Sequence, residues 1–172
     1  MSKVYSYKDY DKHLCLKVSS ELWLVILYLL RPYVLLVSSV RMGGGSGGVE
    51  GVDSLKNMVY RDDFSLTLGI LATIPVLILL YGWVKRKPGA PDYVWKIWRH
   101  GAWLLITAAV LNIAIVLIPL LLGLMHHIHL AGWVQVVLSL PIIVYLYFSQ
   151  RVKDTFADFP VEQPVGKERA PD

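Results

Sequence analysis

Four apolar runs, each close to the ~20 residues a helix needs to cross the hydrocarbon core of a bilayer, decide what this chain can become. They fall at about 22–40, 64–84, 102–124 and 130–149, and none contains Asp or Glu. In a chain of 172 residues they leave no stretch long enough for a separate soluble domain. The expected architecture is all-α: an integral membrane four-helix bundle of antiparallel transmembrane helices over residues 21–149. An interfacial arm (1–20) precedes it and a polar, loosely ordered tail (150–172) follows. The first run reads as a retained span and not a signal peptide, because it is long and ends without a small-residue cleavage site.

The formal charge of +4 could suggest nucleic acid, but the cations flank the apolar runs, where basic residues orient membrane proteins. No nucleic-acid partner is expected. Thirteen of the seventeen Lys and Arg residues fall on one side of an even-spanned topology: in the N-terminal arm, in the 85–100 connection and in the tail. Three (Arg41, Lys56, Arg61) fall on the other. The positive-inside rule then places both termini in the cytoplasm. A single cysteine, Cys15, excludes disulfide-exchange chemistry and cysteine metal clusters. The acid-free spans argue against proton-coupled exchange.

The one fixed charge within a run is Arg31, followed by Pro32. At 1.5 Å rise it would lie roughly 13 Å from either end of a straight first span. Holding it there costs about 2.5–3.5 kcal/mol on insertion scales. Pro32 cannot donate to the carbonyl of Tyr28, which frees an acceptor one turn away. Arg31 therefore has two readings. It binds an anionic headgroup, a quinone oxygen or a partner's carboxylate, or it is satisfied internally by Asn112, Gln135 and the Tyr28 carbonyl. Asn112 in span 3 and Gln135 in span 4 read as helix-packing polar groups. Counted from the connection between those spans, they lie at different depths and are not expected to meet.

His126 and His129, three residues apart, are the weak candidates for a metal site; no carboxylate or cysteine in that connection completes it. No cofactor is expected. Trp23, Trp83, Trp95, Trp98 and Trp103 fall near the predicted span ends and read as interface anchors, with Trp95 and Trp98 sharing one face of an amphipathic turn at 92–100. Ser19 or Ser20 is positioned to cap the first helix, with Glu21 in its first turn. Gly43–Gly48 is a flexible coil whether the segment is native or an engineered linker. Residues 53–60 could lie as a short helix on the membrane surface.

The arm Tyr7–Lys17, with its Tyr-Asp and Cys-Leu-Lys pairs, followed by Leu27–Pro32 with its arginine, resembles the YfeZ-like small bacterial inner-membrane proteins, a family of unknown function. Length and four-span layout agree. The resemblance implies the location and supplies no catalytic residues. By subtraction, the expected function is a non-enzymatic accessory or assembly subunit. Its expected partners are membrane lipid and other integral membrane proteins, or further copies of itself. The alternative is a small transporter or channel-like protein that binds an anion or lipid through Arg31.

Overall fold

The computed structural model describes residues 16–43, 59–60, 63–87, 89–123 and 130–160. His126, His129 and the glycine run beyond Gly43 lie outside them, as do residues 1–15 and 161–172. Among the described residues the chain is helical throughout: α1 (Ser20–Leu29), α2 (Arg31–Gly43), α3 (Asp63–Ala72), α4 (Ile74–Val84), α5 (Asp92–Arg99), α6 (Gly101–Leu121), α7 (Leu130–Phe148) and α8 (Gln150–Ala157). Three helical stretches are long and apolar enough to cross a membrane: Phe64–Val84, Gly101–Leu121 and Leu130–Phe148. A fourth is possible if α1 and α2 form one span, but the two are bent by 59°.

That bend replaces the straight first span expected from the sequence. Its cause is local: Pro32 has no N–H to give, and the amide of Tyr33 turns to Leu30 O at 3.0 Å instead of continuing the α pattern. The second span is also interrupted, at Thr73, with Pro75 in the first turn of α4. The two interruptions touch and satisfy each other. Thr73 Oγ1 shares its proton between Gly69 O of its own span at 2.8 Å and Leu29 O across the break at 3.3 Å, and the Tyr33 hydroxyl donates to Ile70 O at 3.1 Å. Backbone groups freed by proline inside an apolar medium need such partners, and hydroxyl side chains from a neighbouring helix supply them.

Helix α6 is the hub of the packing, touching α1, α3, α4, α5, α7 and α8. Small side chains on its inner face, Ala108 and Ala109, are fully buried and let neighbouring helices approach closely. The core around them comes from Leu22, Val25, Ile26 and Leu29 of α1, Val76 and Leu79 of α4, Leu146 of α7, and Val152 and Phe156 of α8. Helix α1 begins where expected: Ser19 is its N-cap, and its hydroxyl accepts from the Leu22 amide at 3.2 Å.

The segment after α7 differs from the loose tail expected. Ser149 caps α8, which folds back on the other helices and buries Val152, Thr155 and Phe156. Gly101 makes this possible, since a Cβ there would collide with the Phe156 ring and with Leu79. The N-terminal segment joins the same end, where the amide of Leu16 donates to Asp158 Oδ2 at 2.7 Å.

Candidate functional site

The one charged residue and the two amide side chains of the apolar runs converge. Arg31 opens α2 directly after the break, and its guanidinium turns toward α6. Its Nη2 donates to Asn112 Oδ1 at 3.2 Å, and its Nε donates to the Tyr60 hydroxyl at 3.3 Å. The guanidinium carbon lies 4.7 Å from the centre of the Tyr28 ring, within cation–π range. The internal partner expected at Tyr28 is thus its ring and not its backbone carbonyl.

Asn112 and Gln135 do meet, against the depth argument. Gln135 Nε2 donates to Asn112 O at 3.1 Å and approaches Asn112 Oδ1 at 3.4 Å. Counting residues from a connection measures depth only if both helices start at the same level. Here Asn112 stands nine residues before the end of α6 and Gln135 five after the start of α7. Asn112 Nδ2 is held by Ala108 O at 2.9 Å, so its amide oxygen is aimed at Arg31. Behind Gln135, its own carbonyl accepts from Ser139 Oγ at 2.7 Å and from the Tyr28 hydroxyl at 3.1 Å. The result is one connected network over α1, α2, α6 and α7, in which Asn112 is 2% exposed.

Tyr60 is the member that the sequence did not reveal. A tyrosine just outside a span reads as an interface residue, yet this one is 5% exposed. Its ring lies where a Cβ on Gly69 would sit, 2.9 Å from Tyr60 Cε1. The only trace of this in the sequence is the glycine itself. Glycine inside an apolar helix serves any close helix–helix approach, so its presence does not point to a tyrosine. The surface helix expected at 53–60 otherwise lies outside the described residues.

Every acceptor contacting Arg31 among the described residues is neutral. A guanidinium carries five N–H donors, and two are engaged here. Leu27 before Arg31 and Val34 after it are 60% and 48% exposed, so the arginine sits at an edge of the packed helices. No group of three His, Cys, Asp or Glu able to hold a metal occurs among the described residues. The arrangement can hold a positive charge in a set place; it contains no nucleophile–base pair to do chemistry with it.

The tryptophans divide. Trp23, Trp95 and Trp103 are exposed, and Trp23 also packs edge to face on Trp83 with centroids 4.8 Å apart. Trp98 does not share an outward face with Trp95: it is 2% exposed. Its Nε1 donates to Thr155 O at 3.1 Å and to Asp158 O at 3.0 Å, and Arg86 stacks on its ring at 4.4 Å. Helix α8 covers it, and that cover could not be anticipated from the 92–100 pattern alone.

Fold and site together define a helical membrane protein with a positioned, internally hydrogen-bonded arginine among its apolar helices. The chain belongs to the family described as Protein of unknown function (DUF2919), whose model matches residues 5–158. That match ends at Asp158, the residue that joins the N-terminal segment, Arg86 and Trp98. No match was found among curated proteins or among solved structures.

Proposed function

We propose that this protein is a non-enzymatic accessory or assembly subunit of the bacterial inner membrane. In this reading it is a four-span bundle with both termini in the cytoplasm, and it packs against other integral membrane proteins. The observation that carries it is the place of Arg31: a fixed charge among neutral groups, at an edge bordered by exposed Leu27 and Val34. A charge kept at membrane depth is costly, and such residues normally pair or mark a functional contact. The distribution of basic residues supports the orientation, and the YfeZ-like likeness of the N-terminal segment supports the location.

The test is photo-crosslinking in intact membranes from residues 27 and 34, one at a time. A discrete protein adduct from both positions, absent from Leu138 on the exposed face of α7, is the expected result. Adducts to lipid alone at both positions would end the accessory reading.

A second reading has one observation in its favour. Two interrupted spans meet beside Arg31, and transporters build their binding sites from discontinuous helices. A small transporter or channel-like protein would use Arg31 to bind an anion or lipid. It predicts thermal stabilisation by a soluble anion that disappears in Arg31→Leu and persists in Lys85→Gln.

A further inference from the structure

Resting on the accessory reading, we infer that Arg31 is one half of an intramembrane ion pair whose other half is a carboxylate on a transmembrane helix of a different protein. Four observations lead there.

Among the described residues the charge is positioned but not cancelled. Tyr60, Asn112 and the Tyr28 ring orient the guanidinium and absorb two of its donors, and none of them carries a negative charge. Neutral acceptors lower the cost of burial, whereas a planar carboxylate matches the remaining fork of donors.

The depth selects the ligand. Tyr60, which bonds Arg31, packs at Gly69, five residues inside the Phe64–Val84 span. Gln135 is likewise five residues inside Leu130–Phe148, and Asn112 is nine from the end of α6. At 1.5 Å per residue these place the site about 8–13 Å below the end of the apolar segments. A phospholipid phosphate belongs outside the ~30 Å hydrocarbon layer and would have to be drawn inward by that distance. A side chain on a partner helix is delivered there by its own position in sequence.

The approach is lateral. Leu24 and Leu27 before the arginine and Val34 after it are exposed, so the edge offered to a partner is apolar on both sides of the charge. A transmembrane helix fits that edge; a hydrated soluble anion does not.

A second copy is the poorer partner. None of the four apolar runs of this chain contains Asp or Glu, so no span of a second copy carries a carboxylate within its own apolar length. Asp63, the first residue of α3, is six residues from Gly69, roughly 9 Å along the helix at the same rise.

The experiment reconstitutes the full-length protein in zwitterionic nanodiscs with a synthetic Leu/Ala transmembrane peptide. The peptide carries one Asp at matched depth, or Asn in its place, and association is read by energy transfer. The Asp peptide should bind roughly tenfold more tightly than the Asn peptide. The preference should vanish when the Asp is moved to the peptide's end or when Arg31 is changed to Leu, and survive in part in Arg31→Lys. The Asp–Asn comparison uses the unaltered protein, so it does not depend on a variant folding. Equal binding of the two peptides overturns the inference. So does an undiminished preference in Arg31→Leu. A short-chain phosphatidic acid binding through Arg31 as tightly as the Asp peptide reassigns the site to a lipid headgroup, and inorganic phosphate doing so reassigns it to a free anion. Crosslinks from residues 27 and 34 that persist in Arg31→Leu, together with equal peptide binding, leave the accessory reading standing while this inference falls.

Discussion

Of the three arginines that lie over aromatic rings among the described residues, Arg86 and Arg31 are spent differently. Arg86 stacks on Trp98 and donates to Asp158 O at 2.9 Å. That carbonyl lies just past the C-terminal end of α8, where orphan acceptors collect and a cation is favoured. Its Nε is buried without a hydrogen-bond partner, and the indole face beneath it compensates in part. Around it, Leu16, Trp98 and Asp158 close the basic end of the helical packing into one unit. Arg31 stacks on Tyr28 with similar geometry, but its partners are neutral side chains from the spans. The first arginine completes a helix end near water, whereas the second keeps its charge among apolar helices. Similar local contacts thus serve closure in one place and presentation in the other.

If that contrast is correct, damage at the basic end should unfold the protein, and damage at Arg31 should leave it folded. The largest effect is expected for Trp98→Ala, which removes a buried ring, two hydrogen bonds and the seat of Arg86. A loss of about 3–5 kcal/mol in detergent unfolding is expected. Next comes Gly101→Val, which forces Phe156 away and should detach α8. Overpacking of this kind costs about 1–3 kcal/mol, and limited proteolysis should then cut between Phe148 and Ala157. Arg86→Leu should cost about 1–2 kcal/mol, from the lost stack and a charge-assisted bond. Smallest is Arg31→Leu. Its lost hydrogen bonds, about 0.6 kcal/mol each in membrane helices, are offset by removing a charge from the apolar segment. Unfolding should move by less than about 1 kcal/mol, since that removal returns part of the insertion cost. A cooperative collapse in Arg31→Leu would show that the arginine is a structural strut and would erase the contrast.

Much of the Arg31 site is legible in the sequence because the background is so uniform. In apolar runs free of acids, Arg31 stands out as the one charge and Asn112 and Gln135 as the two amides, and Tyr28 stands three residues before the arginine. Their convergence is not legible. Asn112 meets Gln135 because α6 and α7 begin at different levels, an offset that residue counting does not contain. Tyr60 escapes sequence reasoning because its burial depends on a neighbouring helix offering a glycine at the right height. Trp98 reads as an interface anchor because an amphipathic turn at a membrane surface has two possible inner sides. The choice between them is made by α8, whose own packing depends on Gly101.

Hydrophobic length and the placement of charge settled what kind of protein this is. Runs long enough to span, without acids and with one arginine, permit helices that satisfy their own backbone and little else. Pro32 and Pro75 mark places where those helices can break, because a missing N–H is a property of the residue itself, whereas Pro119 and Pro141 lie inside continuous helices. Tertiary structure decided what the breaks face and what the arginine touches. The Thr73–Leu29 approach, the Tyr33–Ile70 bond and the neutral surroundings of Arg31 arise from how separate helices are offset against one another. Those offsets depend on side-chain volumes summed over whole interfaces, and no single stretch of the chain encodes them.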